Sequence, residues 1–159
     1  MSTIHLSTEI EAPVETVFDL SRSVDLHMIS TRHTDETVHA GRTSGLFVVG
    51  DRITWKAKHL GFYQRLTVEI IRCDFPNYFE DRMVTGAFKS FTHRHYFERN
   101  RSTTVMKDIF EFESPLGIIG RLFNRTFLKG YMTMLLTKRN EVIKTYAESG
   151  DGERLLGQK

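Results

Sequence analysis

A single cysteine, Cys73, stands among the 159 residues, so no disulfide can form within the chain and no thiolate metal cluster can be built. The opening Met1-Ser2-Thr3-Ile4-His5-Leu6 has neither the basic segment nor the continuous apolar run of a secretory signal. No uncharged apolar stretch reaches the roughly 20 residues that a membrane helix needs. A soluble protein of a reducing compartment, read as cytoplasmic, is the expectation. Charge of one sign is also scarce. Lys and Arg number 22 against 20 Asp and Glu, a net charge of +2 with His neutral, which is too slight to argue for nucleic acid. The segment Gly41-Arg42-Thr43-Ser44-Gly45 lacks the Gly-Lys-Ser/Thr ending of a phosphate loop, and there is no Gly-x-Ser-x-Gly elbow. Repeats and low-complexity tracts are absent. What the chain does have is phenylalanine, twelve against one tryptophan, which promises a core of broad flat rings.

The alternation Ile4, Leu6, Thr8, Ile10 predicts a strand over 3–11. Pro13 suits the first position of a short helix, and Ser23 suits the cap of a second. Residues 34–40 read as extended. Leu46, Phe47, Val48 and Val49 follow a glycine-bounded loop; they read as the start of a strand, or else as a lid hinged at Gly45 and Gly50. From Asp51 the pattern is almost uninterrupted strand. Ile53, Trp55, Ala57 and His59 share one face; Phe62, Leu66, Val68 and Ile70 share another; Phe79, Asp81 and Met83 share a third. A hairpin turning at 99–102 follows. After Ser114-Pro115, a helix-start signal, Ile119, Leu122, Phe123, Phe127, Tyr131, Met132, Leu135, Leu136, Arg139, Val142, Ile143 and Tyr146 recur at spacings of three and four. That periodicity predicts an amphipathic helix of about thirty residues, bent near Gly120 or Gly130. Residues 1–148 are expected to form one domain and 149–159 a mobile tail.

The element order, the opening Ile10-Glu11-Ala12-Pro13-Val14-Glu15-Thr16-Val17-Phe18-Asp19 and the helix start Ser114-Pro115-Leu116-Gly117 resemble the START/SRPBCC helix-grip superfamily. That superfamily includes pollen-allergen-like proteins, polyketide cyclases and coenzyme Q-binding proteins. The resemblance covers about residues 3–147. Val24-Asp25-Leu26-His27, Ser44-Gly45-Leu46 and Lys58-His59-Leu60-Gly61 are similar to a bacterial ligand-binding branch of it. The resemblance implies an α+β fold: a curved antiparallel sheet of about seven strands, in the order β-α-α-β6-α, gripping a long C-terminal helix. It also implies an apolar ligand held between sheet and helix.

The least ordinary feature lies on the last hairpin. His93 and His95 share the face of Phe91 and Phe97, and Asp108 shares that of Met106, Phe110 and Phe112. An unpaired buried polar group costs roughly 2–7 kcal/mol. Such a face therefore implies either a ligand-filled concavity or a set of mutually satisfied pairs. With the turn centred at Asn100-Arg101, His95 would oppose Met106 and His93 would oppose Asp108. The same alternation turns His59 and Asp81 inward. The expected polar wall is His59, Asp81, His93, His95 and Asp108, and the expected apolar wall includes Trp55, Met83, Phe91, Phe110, Phe127 and Tyr131.

Three functions are compatible with this pattern. One is binding of a small hydrophobic or amphipathic molecule. Another is cyclase, dehydratase or hydrolase chemistry with His93 and Asp108 as an acid/base pair. The third is an interaction module using the basic stripe Arg121, Arg125 and Lys129. The His-x-His spacing suits zinc or iron, but no local motif adds a third ligand, so no metal and no other cofactor is assigned. A nucleic-acid partner and a membrane span are not expected. The chain is read as a monomer or homodimer.

Overall fold

The chain begins with the predicted strand β1 (Ser2–Ile10), followed by helices α1 (Val14–Ser21) and α2 (Val24–Ser30) and one 3-10 turn at Arg32–Thr34. Six strands come next: β2 (Thr37–Ala40), β3 (Arg52–His59), β4 (Phe62–Asp74), β5 (Tyr78–Thr85), β6 (Ser90–Asn100) and β7 (Thr103–Glu113). Among the described residues, helices α3 (Lys129–Ser149) and α4 (Asp151–Gly157) complete the order. The structure is a computed structural model that describes residues 1–114 and 127–157. The strands form one antiparallel sheet in the order β1-β7-β6-β5-β4-β3-β2, in which β7 pairs with both β6 and β1. This is the α+β helix-grip architecture, with α3 packed against β1, α1 and α2.

Local chemistry accounts for the first elements. Pro13 falls at the N-cap of α1, one position before the expected first turn, and the helix buries Val14, Val17, Phe18 and Leu20. Ser23 caps α2 as anticipated, its hydroxyl accepting from the Leu26 amide at 3.2 Å. The hairpin register differs from the expectation. Asn100 pairs with Thr103, leaving Arg101, at φ 56°, in a two-residue turn. His95 therefore opposes Asp108 and Phe97 opposes Met106. The slip is an even number of residues, so every side chain keeps its predicted face.

Two segments depart from their reading. Residues 46–49 are not the start of a strand: Leu46 makes an isolated bridge to Ser23, Phe47 is buried, Val48 and Val49 are exposed, and β3 begins only at Arg52. The expected tail contains α4, whose Gly152 is buried and whose Leu155 and Leu156 pack on the α1 cluster. The helix start beyond Ser114, together with Ile119, Gly120, Arg121, Leu122, Phe123 and Arg125, lies outside the described residues.

Among the described residues, the core forms two apolar clusters with a polar layer between them. Along β6, Phe91 joins one cluster and Phe97 the other, with His93 and His95 in between. Along β7 the same sequence runs Phe110, Asp108, Met106. Along α3 it runs Leu136, then Arg139 and Asn140, then Ile143. Each of these elements crosses the layer at the same depth, which is what brings its polar side chains together.

Candidate functional site

A cavity of about 360 Å³ lies between the sheet and α3. Its wall is mostly apolar: Trp55, Leu66, Val68, Phe91 and Phe110 from the strands, and Met132 and Leu136 from the helix. Among the polar residues that border it, most of the titratable ones fall in two groups, one on the central strands and one where β3 ends.

The central group is built on Asp108. His93 Nε2 lies 3.0 Å from Asp108 Oδ1, and Asn140 Nδ2 donates to Asp108 Oδ2 at 2.6 Å. Burial alone would raise the Asp108 carboxyl, but the His93 bond and the adjacent His95 imidazole hold it well below the usual carboxylate range. An ionised carboxylate only accepts, so His93 carries its proton on Nε2 and leaves Nδ1 as a lone pair. His95 Nε2 lies 3.2 Å from Asp81 Oδ1. Its Nδ1 is 2.8 Å from Asp108 Oδ1 but outside hydrogen-bonding alignment. The ring stacks on Phe79 at 4.0 Å and sits 3.8 Å from the His93 ring.

Arg139 closes this group from α3. Its guanidinium donates to the Ser21 carbonyl at 2.9 Å and to Asn140 Oδ1 at 3.1 Å, and lies 3.7 Å from Asp108. Burial, then the neighbouring His95, pushes the His93 imidazole down to about 4. Burial would raise the Asp81 carboxyl, but the His95 bond and the charges of His93, His95 and Arg139 keep it lowered. The layer thus holds two ionised carboxylates, Asp81 at the cavity and Asp108 behind the imidazoles, close to the Arg139 guanidinium, with His93 neutral at pH 7.

The second polar group comprises His27, Glu36, His59 and Tyr131. His27 Nε2 is 3.2 Å from Glu36 Oε1, and the His27 ring stacks on Trp55 at 4.2 Å. His59 Nδ1 is 2.9 Å from the Tyr131 hydroxyl, a bond that ties the end of β3 to α3. Burial lowers His59, and Glu36 partly offsets this.

Among the predicted wall residues, Asp81, His93, His95, Trp55, Phe91, Phe110, His59 and Tyr131 border the cavity. His59 belongs to the second group and not to the histidine pair. Asp108 lies behind the imidazoles instead of lining the space. Met83 packs on the core outside the lining, and Phe127 is 46% exposed, stacked on Tyr131. Sequence reasoning missed Arg139, Asn140, His27 and Glu36 as site residues. Arg139 did carry a signal, a charge at an apolar position of the α3 period; Glu36 carried none. Ligand atoms of Asp81, His93 and His95 lie within 4.8 Å of one another, the donor set of a 2-His-1-carboxylate site. Yet both imidazoles converge on Asp108 Oδ1 and not on a common open point.

No protein-family model matches the chain, and no curated protein matches it in sequence. Solved structures do match. A Thermus thermophilus protein aligns over 92% of this chain and 100% of its own, at 20% identity and TM-score 0.72. A major latex-like protein of Panax ginseng aligns over 92% and 97%, at 16% and 0.68. A START superfamily protein of Mycobacterium smegmatis aligns over 96% and 98%, at 14% and 0.68. The likeness defines the class: this chain has the helix-grip fold of START and major latex-like proteins. At these identities the likeness extends to the fold and no further. Among the described residues, no helix is long and apolar enough to cross a membrane.

Proposed function

We propose that the protein binds a small amphipathic molecule between sheet and α3, with its apolar body along Trp55, Val68, Phe91 and Phe110 and its polar head at Asp81 and His93. The observation that carries this reading is an apolar cavity, within the usual size range of small-molecule sites, interrupted by a charged layer. The Asp81 carboxylate, which borders the cavity, and the lone pair on His93 Nδ1 give this wall acceptors. The head that fits is a hydrogen-bond donor, a hydroxyl or protonated amine, in preference to a carboxylate.

Trp55 is the sole tryptophan and borders the cavity, so its fluorescence reports binding directly. Titration with decanol, decylamine and decanoate should give saturable 1:1 changes with the first two and at least roughly tenfold weaker binding of the acid, about 1.4 kcal/mol. Absence of saturable binding by all three, and by neutral N-phenyl-1-naphthylamine, would refute the binding function. Equal binding of the acid would refute only the head-group assignment.

Acid/base chemistry by His93 and Asp108 is the second reading, favoured by their 3.0 Å contact. A base is most effective when its pKa lies near the working pH, and an imidazole held at about 4 is a weak one. Binding therefore ranks first. A ligand recovered chemically altered from the protein, but unaltered from His93→Gln, would reverse that order.

A further inference from the structure

The tip of the β3–β4 hairpin presents an exposed apolar cluster at the rim of the cavity. Leu60 is 50% exposed, Phe62 75% and Tyr63 58%. The turn is tight: Leu60 holds φ 53° and Gly61 φ 87°. Asn or Gly is the ordinary choice for a left-handed first turn position. A bulky apolar residue there is strained as well as half-exposed.

Cations crowd the same tip. Lys56 Nζ lies 4.9 Å and Lys58 Nζ 5.9 Å from the centre of the Tyr63 ring. Lys56 stands directly opposite Arg65, a like-charge pair that weakens a sheet. Lys56, Lys58 and Arg65 form no ion pair among the described residues, whereas Arg52, further along β3, does so with Glu69. Exposed aromatic and aliphatic side chains beside unpaired cations match the interface of an anionic bilayer, where rings enter the headgroup level and ammonium groups meet phosphate and carboxylate.

The position of the tip adds a consequence. Leu60 and Arg65 border the cavity, and the neighbouring His59 bonds Tyr131, on which the half-exposed Phe127 stacks. The apolar tip and the rim of the cavity are therefore continuous. We propose that the β3–β4 hairpin docks on an anionic lipid surface and seats the cavity rim against the bilayer. An RNA partner would use the cations but leave the aliphatic apex in water, and a protein partner would not need the clustered cations.

The test is sedimentation of the full chain with phosphatidylcholine vesicles, with and without phosphatidylserine. Binding should occur with phosphatidylserine and fall as salt rises. The double variant Lys56→Glu/Lys58→Glu should lower the partition coefficient at least about tenfold, and Phe62→Ser should lower it by about as much. Tyr63→Ser serves as a second variant, and far-UV circular dichroism with retained N-phenyl-1-naphthylamine binding checks that each folds. No vesicle binding at low salt, or binding indifferent to these substitutions, overturns the proposal. So does self-association or RNA retention through the hairpin without vesicle binding. Absence of saturable binding of N-phenyl-1-naphthylamine and of all three decyl compounds by the unaltered chain would refute the cavity's function and leave the docking result intact.

Discussion

Asp108 is fully buried and accepts from His93 and Asn140 at once, with Arg139 close by. Removing Asp108 leaves His93 Nε2 and Asn140 Nδ2 desolvated without this acceptor and Arg139 without its nearby carboxylate. Breaking a buried charged pair costs roughly 3–5 kcal/mol. Asp108→Ala should therefore lose about that much stability, read as a shift of the urea midpoint at pH 7 with the slope unchanged. His93 sets a pH dependence. The unfolded imidazole takes a proton near 6.5 and the folded one only near 4, so stability is full above 6.5 and declines as pH falls toward 4, by up to about 3 kcal/mol. Asp81 and Asp108 are both lowered, so their contribution is full above the normal carboxylate range and is lost as pH falls through that range and below it. His59, lowered by burial, contributes a loss of the same sign. Urea unfolding of His93→Gln across pH 4–7 should show a much flatter decline; an unchanged slope would assign the effect elsewhere.

At the scale of elements, periodicity told strand from helix, and even spacing made the faces robust. His93, His95 and Asp108 point inward although the hairpin register is two residues from the expected one. The end of the chain was harder. Residues 151–157 carry too short a pattern to mark a helix, yet Leu155 and Leu156 find an apolar surface on α1. Gly152 makes that approach close: a Cβ there would stand 2.6 Å from Leu20 Cδ1 and 2.9 Å from the Tyr146 carbonyl. Gly152→Ala should destabilise the protein by about 1–3 kcal/mol, seen as a lower thermal midpoint. Proteolysis should begin within 150–157 in that variant. Unaltered protection of this segment would show that α4 does not depend on the close contact.

For the whole molecule, the cavity and the polar layer arise together. The curved sheet cannot close completely on α3, and the layer keeps the two apolar clusters from merging. Filling the space separates stability from function. Ala57 is buried and borders the cavity, so Ala57→Phe should abolish the Trp55 response to decanol while changing stability by less than about 1.5 kcal/mol. A large loss of stability in that variant would mean that the space is too tight to admit a ligand.

The sequence alone determined the strands, α1, α2 and most of α3, and which face of each is apolar, because hydrophobic period and capping are properties of neighbouring residues. It also marked His93, His95 and Asp108 as inward polar groups among phenylalanines. Only the tertiary structure decided that Asp108 stands behind the imidazoles, that Arg139 and Asn140 complete its shell from α3, and that His59 belongs with Glu36 and Tyr131. Those partners are 32, 31 and 72 positions apart for Asn140–Asp108, Arg139–Asp108 and His59–Tyr131. Their meeting depends on strand register, sheet curvature and where the helix crosses the sheet, and no local pattern encodes these.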